Sequence, residues 1–184
     1  MARTVETLSG NIFDNAFTSG TGGDGQFLCS DSHPRTDGGT AQNNKHTYGL
    51  NETYLQAALL AMRKTLDDKG QKIGVQPDTL LIPPDLELTA NILLKSTGRT
   101  GTNYNEINPY QGRLNIVVWD YLDLTQAWYI LDSGLNQLNF FWRDRPEFAS
   151  DTSFETDAAL YKVRCRFSVG FSDWRGVYGS TGTQ

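Results

Sequence analysis

The stretch Pro77-Asp78-Thr79-Leu80-Leu81-Ile82-Pro83-Pro84 decides the fold class of this chain. Its centre, from Thr79 to Ile82, is a short apolar run typical of a buried strand, and the two prolines end that strand because neither has an N–H for a sheet hydrogen bond. A helical pattern stands on either side of it. Asn51 is predicted to cap a helix that runs to about Lys69, and Asp85 to cap a second helix after the strand.

Strand-like segments fill most of the second half of the chain. Three apolar runs come first, at residues 114–119, 127–131 and 138–142. A longer stretch, from Tyr161 to Phe171, alternates between apolar and polar residues, which is the period-two pattern of a strand. Helices and strands are mixed without a repeating strand–helix–strand unit, so the sequence predicts an α+β fold.

The chain opens with an amphipathic pattern at residues 4–17, which predicts a short helix. The segment Gly20-Thr21-Gly22-Gly23-Asp24-Gly25 then matches the spacing GxGxxG. A dinucleotide site needs a strand before this motif and a helix after it, and here the order is reversed, so we predict a linker. From Gln26 to Asn44 the polar composition predicts a long loop that runs over the surface.

The composition excludes several classes of protein. Sixteen Lys and Arg against 21 Asp and Glu give a net charge of −5, which disfavours a protein whose whole surface binds nucleic acid. The two cysteines, Cys29 and Cys165, form no metal-binding motif, and Cys165 is expected to be a small buried residue. No signal peptide or membrane-spanning run is present, so we expect a soluble protein made inside the cell.

Clustered carboxylates are the one pattern that suggests enzymatic chemistry. Asp120, Asp123 and Asp132 lie close in sequence, and converging carboxylates could hold Mg²⁺. Asp120 and Asp132 each follow an apolar run, however, where a turn residue is expected, and we favour that interpretation. His33 and His46 have no neighbours in sequence that suggest the orienting partner of a general base, so no residue argues for an enzyme.

The late strand carries a basic face formed by Lys162, Arg164 and Arg166. Three interpretations remain open. The charges can simply face solvent and discourage pairing of strand edges. They can contact acidic patches on neighbouring copies of the chain, or they can contact phosphate.

Several stretches, read in order, resemble the Mu-like branch of phage major capsid proteins, whose subunits have the HK97-like fold. In the first half they are Asn11 to Phe17, Leu28-Cys29-Ser30 with His33-Pro34, Asp67 to Gly70, and Pro77 to Pro84. In the second half they are Asn105 with Asn108, Val117-Val118, Ala127 to Asp132, Arg164 to Phe167, and Asp173-Trp174-Arg175-Gly176.

The resemblance implies an A-like (axial) domain inserted in a P-like (peripheral) domain. Residues 1–50 would hold the end of the spine helix and a P-domain loop, residues 51–138 the A-like domain, and residues 139–184 the P-domain strands, including the strand from Leu160 to Phe171. The N-terminal arm and the extended hairpin called the E-loop, which family members carry before this point, are expected to be missing. The family contributes no catalytic residues and needs no cofactor.

The function implied is a structural subunit of a phage or prophage head, not an enzyme. Its copies would form pentamers and hexamers that close an icosahedral shell in the virion, after assembly in the host cytoplasm. Scaffold or portal proteins are further expected partners, packaged DNA would be contacted only non-specifically, and no membrane is involved. The alternatives are a phage tail or decoration module that binds a ligand through exposed, clustered Trp or Tyr and, less favoured, a metal-dependent enzyme using Asp120, Asp123 and Asp132.

Overall fold

Three helices and seven strands make up the fold in a computed structural model, which describes residues 2–99 and 106–182. The helices are α1 (Ala2–Asp14), α2 (Glu52–Arg63) and α3 (Glu87–Lys95), the last preceded by a 3₁₀ turn, Pro84–Leu86. The strands are β1 (Lys45–His46), β2 (Thr79–Ile82), β3 (Asn115–Val118), β4 (Trp128–Leu131), β5 (Leu138–Thr152), β6 (Ala159–Phe171) and β7 (Val177–Ser180). The α+β class is confirmed. Asn105 lies outside the described residues.

Five of the strands form one mixed sheet in the order β1-β7-β4-β2-β3. The predicted strand β2 lies inside it, with β3 parallel on one side and β4 antiparallel on the other. Strand β1 pairs in parallel with β7, and the paired residues Lys45 and Gly179 are far apart in sequence. Such a distant pairing leaves no local pattern in the sequence.

The sheet is covered on both faces because its central strands are apolar on both sides. Successive residues of a strand point to opposite faces. Leu80 and Ile82 therefore face a core shared with α2 and α3, while Leu81 faces a second core. That second core contains Phe13 and Phe17 from the start of the chain. The sheet therefore lies between two layers. Helices α2 and α3 form one layer, and α1 together with loops forms the other.

Helix α2 begins as predicted and ends earlier than predicted. The Asn51 side chain accepts a hydrogen bond from the Tyr54 N–H, which is the expected N-cap. The helix ends at Arg63 and not near Lys69, because the chain beyond it finds tertiary partners. The Leu66 N–H donates to the Gln42 side chain at 2.7 Å instead of to the preceding helical turn.

The long loop before β1 was predicted to run over the surface, and this is wrong for its two ends and for His33, whereas the residues from 34 to 43 are mostly exposed as predicted. Leu28, Cys29, His33 and Asn44 are buried. Asn44 holds the loop in place: its amide donates to the carbonyl oxygens of Leu28 and Val177, and its oxygen accepts the Ser30 N–H. Buried backbone polar groups need such partners, and a single side chain supplies three of them here.

Strands β5 and β6 form a separate two-stranded sheet. The late strand was assigned to a P-domain sheet, and that assignment stays a prediction. The run at 138–142 was predicted to be a short strand. Instead, β5 continues to Thr152 and pairs antiparallel with β6 along its length. Two register shifts interrupt β5, on either side of Asp144, where Pro146 and charged residues hide the strand pattern from sequence analysis.

No helix within the described residues is long and apolar enough to span a membrane.

Candidate interaction surface

The two-stranded sheet of β5 and β6, hereafter the ribbon, is inserted between two strands that are already neighbours. Strands β4 and β7 pair antiparallel, with Leu131 opposite Val177. The ribbon continues this hairpin outward, beginning at the pair Leu138 and Phe171. Thirteen to fifteen residues at about 3.3 Å each give it a length of roughly 45 Å. It is the longest element of the described chain and lies mostly outside its two cores.

The base of the ribbon is anchored to the second core. Leu138 and Phe171 pack against that core, and the Phe171 ring lies so close to Gly22 that a Cβ there would stand 2.6 Å from it. Asn139 donates to the Ser172 hydroxyl at 2.8 Å. Close to this base, α1 and β6 line a cleft of about 320 Å³. Among the described residues, it is the packing at the base that orients the ribbon.

One face of the ribbon is apolar and largely uncovered. The residues on this face are Phe140, Trp142, Phe148, Tyr161, Val163, Cys165, Phe167 and Val169. Towards the outer end the exposure is greatest, with Phe148 67% and Tyr161 70% exposed, and these two rings stack on each other. Cys165 was predicted to be buried, and it is only partly covered because this face, beyond the ribbon's base, lies outside both cores formed by the described residues.

The opposite face is charged. Lys162, Arg164 and Arg166 all lie on it and are exposed, as the alternating pattern predicts. Arg166 pairs in register with Asp144, and Arg164 lies 3.9 Å from Glu147. Both partners of that ion pair are about 70% exposed, so it contributes little to stability. The predicted role of the three residues in subunit contact is untested by their placement.

The ribbon ends in a turn that carries Glu155 and Asp157, and Asp151 precedes it near the end of β5. Ser153 and Asp157 close this turn through the hydrogen bond from the Asp157 N–H to the Ser153 carbonyl oxygen. Asp157 has a φ of 52°, a left-handed conformation that Asp tolerates better than most residues. Phe154, at the outer end of the turn, is fully exposed. The Phe154 ring thus projects from the molecule, with Asp151, Glu155 and Asp157 within three residues of it in sequence.

The carboxylates proposed for a metal site do not come together. Asp132 is buried at the end of β4, where its two oxygens accept the N–H groups of Gly134 and Gln76. Asp120 and Asp123 lie in the turns after β3. Within residues 2–99 and 106–182 no group of three His, Cys, Asp or Glu side chains could hold a metal ion. The metal hypothesis is therefore wrong, and the turn interpretation accounts for Asp132.

His33 has the orienting partners that its sequence context did not reveal. Its Nδ1 lies 2.6 Å from the Asp24 carboxylate and its Nε2 lies 2.9 Å from the Asn44 oxygen. The ring stacks on Trp174 at 4.0 Å and is fully buried, so no substrate can reach it. Cys29 is also buried, and burial raises the pKa of its thiol, which keeps it from acting as a nucleophile.

The four tryptophans divide between core and surface. Trp128 and Trp174 are buried as expected, and Trp119 is half-buried. Trp142, on the apolar face of the ribbon, is 37% exposed. Sequence reasoning found the strand that carries this face but not its exposure, because an apolar face on an interface ribbon and one on a core strand have the same pattern.

A model of the phage capsid protein family matches residues 1–180. The chain belongs to this family. Membership makes it a structural capsid subunit located in a virion capsid, and points to a structural and not a catalytic role. No curated protein matches the chain.

Among solved structures, one that resembles the chain is the virus-like particle from Pyrococcus furiosus. The identity is 11% and the TM-score is 0.44. The alignment covers 74% of this chain and 56% of that one. The phage capsid protein spans little more than half the length of this relative.

Proposed function

We propose that this capsid protein is a major head subunit of a tailed phage or prophage, with the HK97-like fold of the Mu-like branch. Its copies assemble into pentamers and hexamers of an icosahedral shell that encloses packaged DNA. Assembly takes place in the host cytoplasm, and scaffold or portal proteins are further partners. The A-like domain comprises residues 51–138, and the ribbon belongs to the P-like part of the chain.

The uncovered apolar face of the ribbon carries the proposal of self-assembly. A two-stranded sheet is only marginally stable by itself in water, and a contiguous exposed apolar surface usually marks an interaction site. Phe148, Tyr161 and Val163 are at least half exposed along one side of the ribbon. In a family of shell proteins, another copy of the subunit is the partner available at every position of the particle.

The mass of purified particles across protein concentration tests this proposal. We expect light scattering and negative-stain electron microscopy to show rings, capsomers or shells at high concentration. The substitution pair Tyr161→Ser and Val163→Ser should shift assembly to higher concentration, because it removes apolar surface from the proposed contact. The pair Leu60→Ser and Leu88→Ser is the matched control, since both leucines are at least half exposed on α2 and α3.

A protein that stays monomeric at all concentrations would contradict the proposal for this chain. The partly exposed ring of Trp142, on the same face of the ribbon as the exposed rings of Tyr161 and Phe148, favours the alternative, a tail or decoration module that binds a ligand through aromatic side chains. In that case the wild-type protein would be a monomer or trimer. The serine variants would then lose ligand binding while leaving the particle mass unchanged.

A further inference from the structure

Charge is segregated along the ribbon. The tip, defined as residues 150–161, contains Asp151, Glu155 and Asp157 and no Lys or Arg. The remainder, hereafter the shaft, contains five basic residues against two acidic ones. The five are Arg143, Arg145, Lys162, Arg164 and Arg166. The tip therefore carries a net charge of −3 and the shaft a net charge of +3.

The tip cannot neutralise most of its own shaft. Asp151 lies two residue pairs from Lys162 on the charged face, but Asp157 is nine positions along the chain from Arg166. At about 3.3 Å per residue, nine positions span roughly 30 Å. That distance is about three to four times the screening length of roughly 8 Å at physiological ionic strength. The attraction between the two ends is thus available to a second molecule.

Each of the two regions also presents an exposed aromatic ring. Phe154 is fully exposed at the tip. Phe141 pairs in register with Ser168, which places it on the charged face beside Arg166, and it is 64% exposed. An apolar anchor surrounded by charges of one sign, facing an apolar patch surrounded by the other sign, is the arrangement typical of a specific contact.

We infer that the tip of one ribbon docks on the charged face of the shaft of a second copy of this chain. Phe154 packs on the partner's exposed Phe141, while Glu155 and Asp157 approach Arg164 and Arg166 of the partner subunit. This inference rests on the proposed function and names the contact that the basic face makes. Because tip and shaft are different surfaces, the contact is heterologous and can repeat around a ring.

Phosphate is the less favoured partner of the basic face. Asp144 and Glu147 lie opposite Arg166 and Arg164 on the same face, which lowers its attraction for a polyanion. The whole chain also carries a net charge of −5. A carboxylate-bearing tip with its own aromatic anchor fits the face better than a uniformly charged backbone does.

Charge reversal tests the inference. The tip variant carries Glu155→Lys and Asp157→Lys, and the shaft variant carries Arg164→Glu and Arg166→Glu. We expect each to raise the concentration needed for assembly by about tenfold or more, because several unlike-charge contacts become repulsive. The variant with all four substitutions should return to within about threefold of the wild type, since the contacts are restored with signs exchanged.

Arg63→Glu with Lys64→Glu is the matched control. These residues are exposed at the end of α2, far from the ribbon in sequence, and their reversal changes the net charge as the shaft variant does. It should leave the assembly concentration within about threefold of the wild type. Because the substituted side chains of the shaft and control variants are exposed, their circular dichroism and melting temperatures should stay close to wild-type values. Asp157→Lys also places Lys at a φ of 52°, so the tip variant is compared with Asp157→Asn, which keeps a residue that tolerates this conformation.

Each outcome separates this inference from the proposed function. A wild-type protein that never assembles overturns both. A wild-type protein that assembles, with reversals that change nothing, overturns the tip-to-shaft contact and leaves the proposed function in place. The tip-to-shaft contact is also overturned if the variant with all four substitutions fails to restore assembly. A shaft reversal that weakens DNA binding without altering assembly would assign the basic face to phosphate.

Discussion

His33 is a fully buried polar residue in the loop that precedes the sheet. Its ring lies between the Asp24 carboxylate and the Asn44 oxygen and stacks on Trp174. Through Asn44 the same network reaches the carbonyl oxygen of Val177 in β7. A loop with few apolar residues is thereby fixed to the edge of the sheet by polar contacts that are shielded from water.

We expect His33→Ala to lower the free energy of unfolding by about 3 kcal/mol, because it leaves a cavity and removes the hydrogen-bond partner of a shielded carboxylate. Urea denaturation followed by tryptophan fluorescence measures the change. His46→Ala is the control: His46 is half-buried, and its loss should cost about 1 kcal/mol or less. Equal losses from both substitutions would contradict the role given to the network.

The hydrogen bonds between Asp78 and Ser133 are expected to stabilise the fold less at low pH than at neutral pH. Hydrogen bonds from the Ser133 hydroxyl, the Thr79 hydroxyl and the Ser133 N–H hold the pKa of this carboxyl below its usual value. A lowered pKa in the folded state contributes stability above the unfolded pKa, near 3.9, and that contribution is lost as the pH falls through the folded pKa.

Ser133→Ala should therefore lower the melting temperature at pH 7 by a few degrees and have a smaller effect at pH 2, where the carboxyl is protonated in both states. Melting curves recorded at intervals between pH 2 and 7 measure the difference. Ser172→Ala is a suitable comparison, since Ser172 is an exposed serine whose hydroxyl accepts a hydrogen bond from the Asn139 amide and makes none with a carboxylate of the described chain. A difference that grows as the pH falls would contradict the assignment.

Among the elements, the ribbon is separable from the rest of the fold. At the base of the ribbon, the paired residues Leu138 and Phe171 pack against the second core. The next pair, Asn139 and Gly170, already lies outside both cores. Because β4 and β7 pair directly, the sheet does not depend on the ribbon for its hydrogen bonds.

Replacing residues 140–169 by the dipeptide Asn-Gly, which favours a two-residue hairpin turn, should give a folded core. We expect cooperative thermal unfolding and intact near-ultraviolet circular dichroism from Trp128 and Trp174, which stay buried. The same variant should remain monomeric by sedimentation. A molten or insoluble product would show that the ribbon is needed for folding itself.

Sequence analysis reached those elements whose signals are local. The strand at Thr79–Ile82, the cap at Asn51 and the helix at the start of the chain all follow from residues within a few positions of one another. The end of α2 was missed because Gln42, far away in sequence, binds Leu66. The full length of β5 was missed because Pro146 and the two register shifts break the alternation.

The basic face of the candidate surface could be predicted because its pattern is local, whereas the exposure of the apolar face could not. Alternation alone placed Lys162, Arg164 and Arg166 on one face. It could not show that the opposite, apolar face lies outside both cores, since that depends on which strands pair. Nor could it find His33 and Asn44, whose partners are brought together only by the folded loop.

On the scale of the whole molecule, the ribbon determines how far the subunit reaches beyond its body. Phe154 and the tip stand at the end of a strand pair with a fixed rise per residue. If the tip contacts a neighbour, the number of residues in the ribbon sets the distance between the bodies of adjacent subunits.

Ribbon length is then a means of changing particle size. Inserting two residue pairs between Phe148 and Ala149 on one strand and between Lys162 and Val163 on the other lengthens the reach by about 7 Å and keeps both faces in place. Such particles should differ in diameter by electron microscopy. A single inserted pair turns the outer end of the ribbon over, because side chains alternate, and should prevent ordered particles altogether. Two proteins that differ only in the length of this hairpin would build shells of different curvature from the same subunit body.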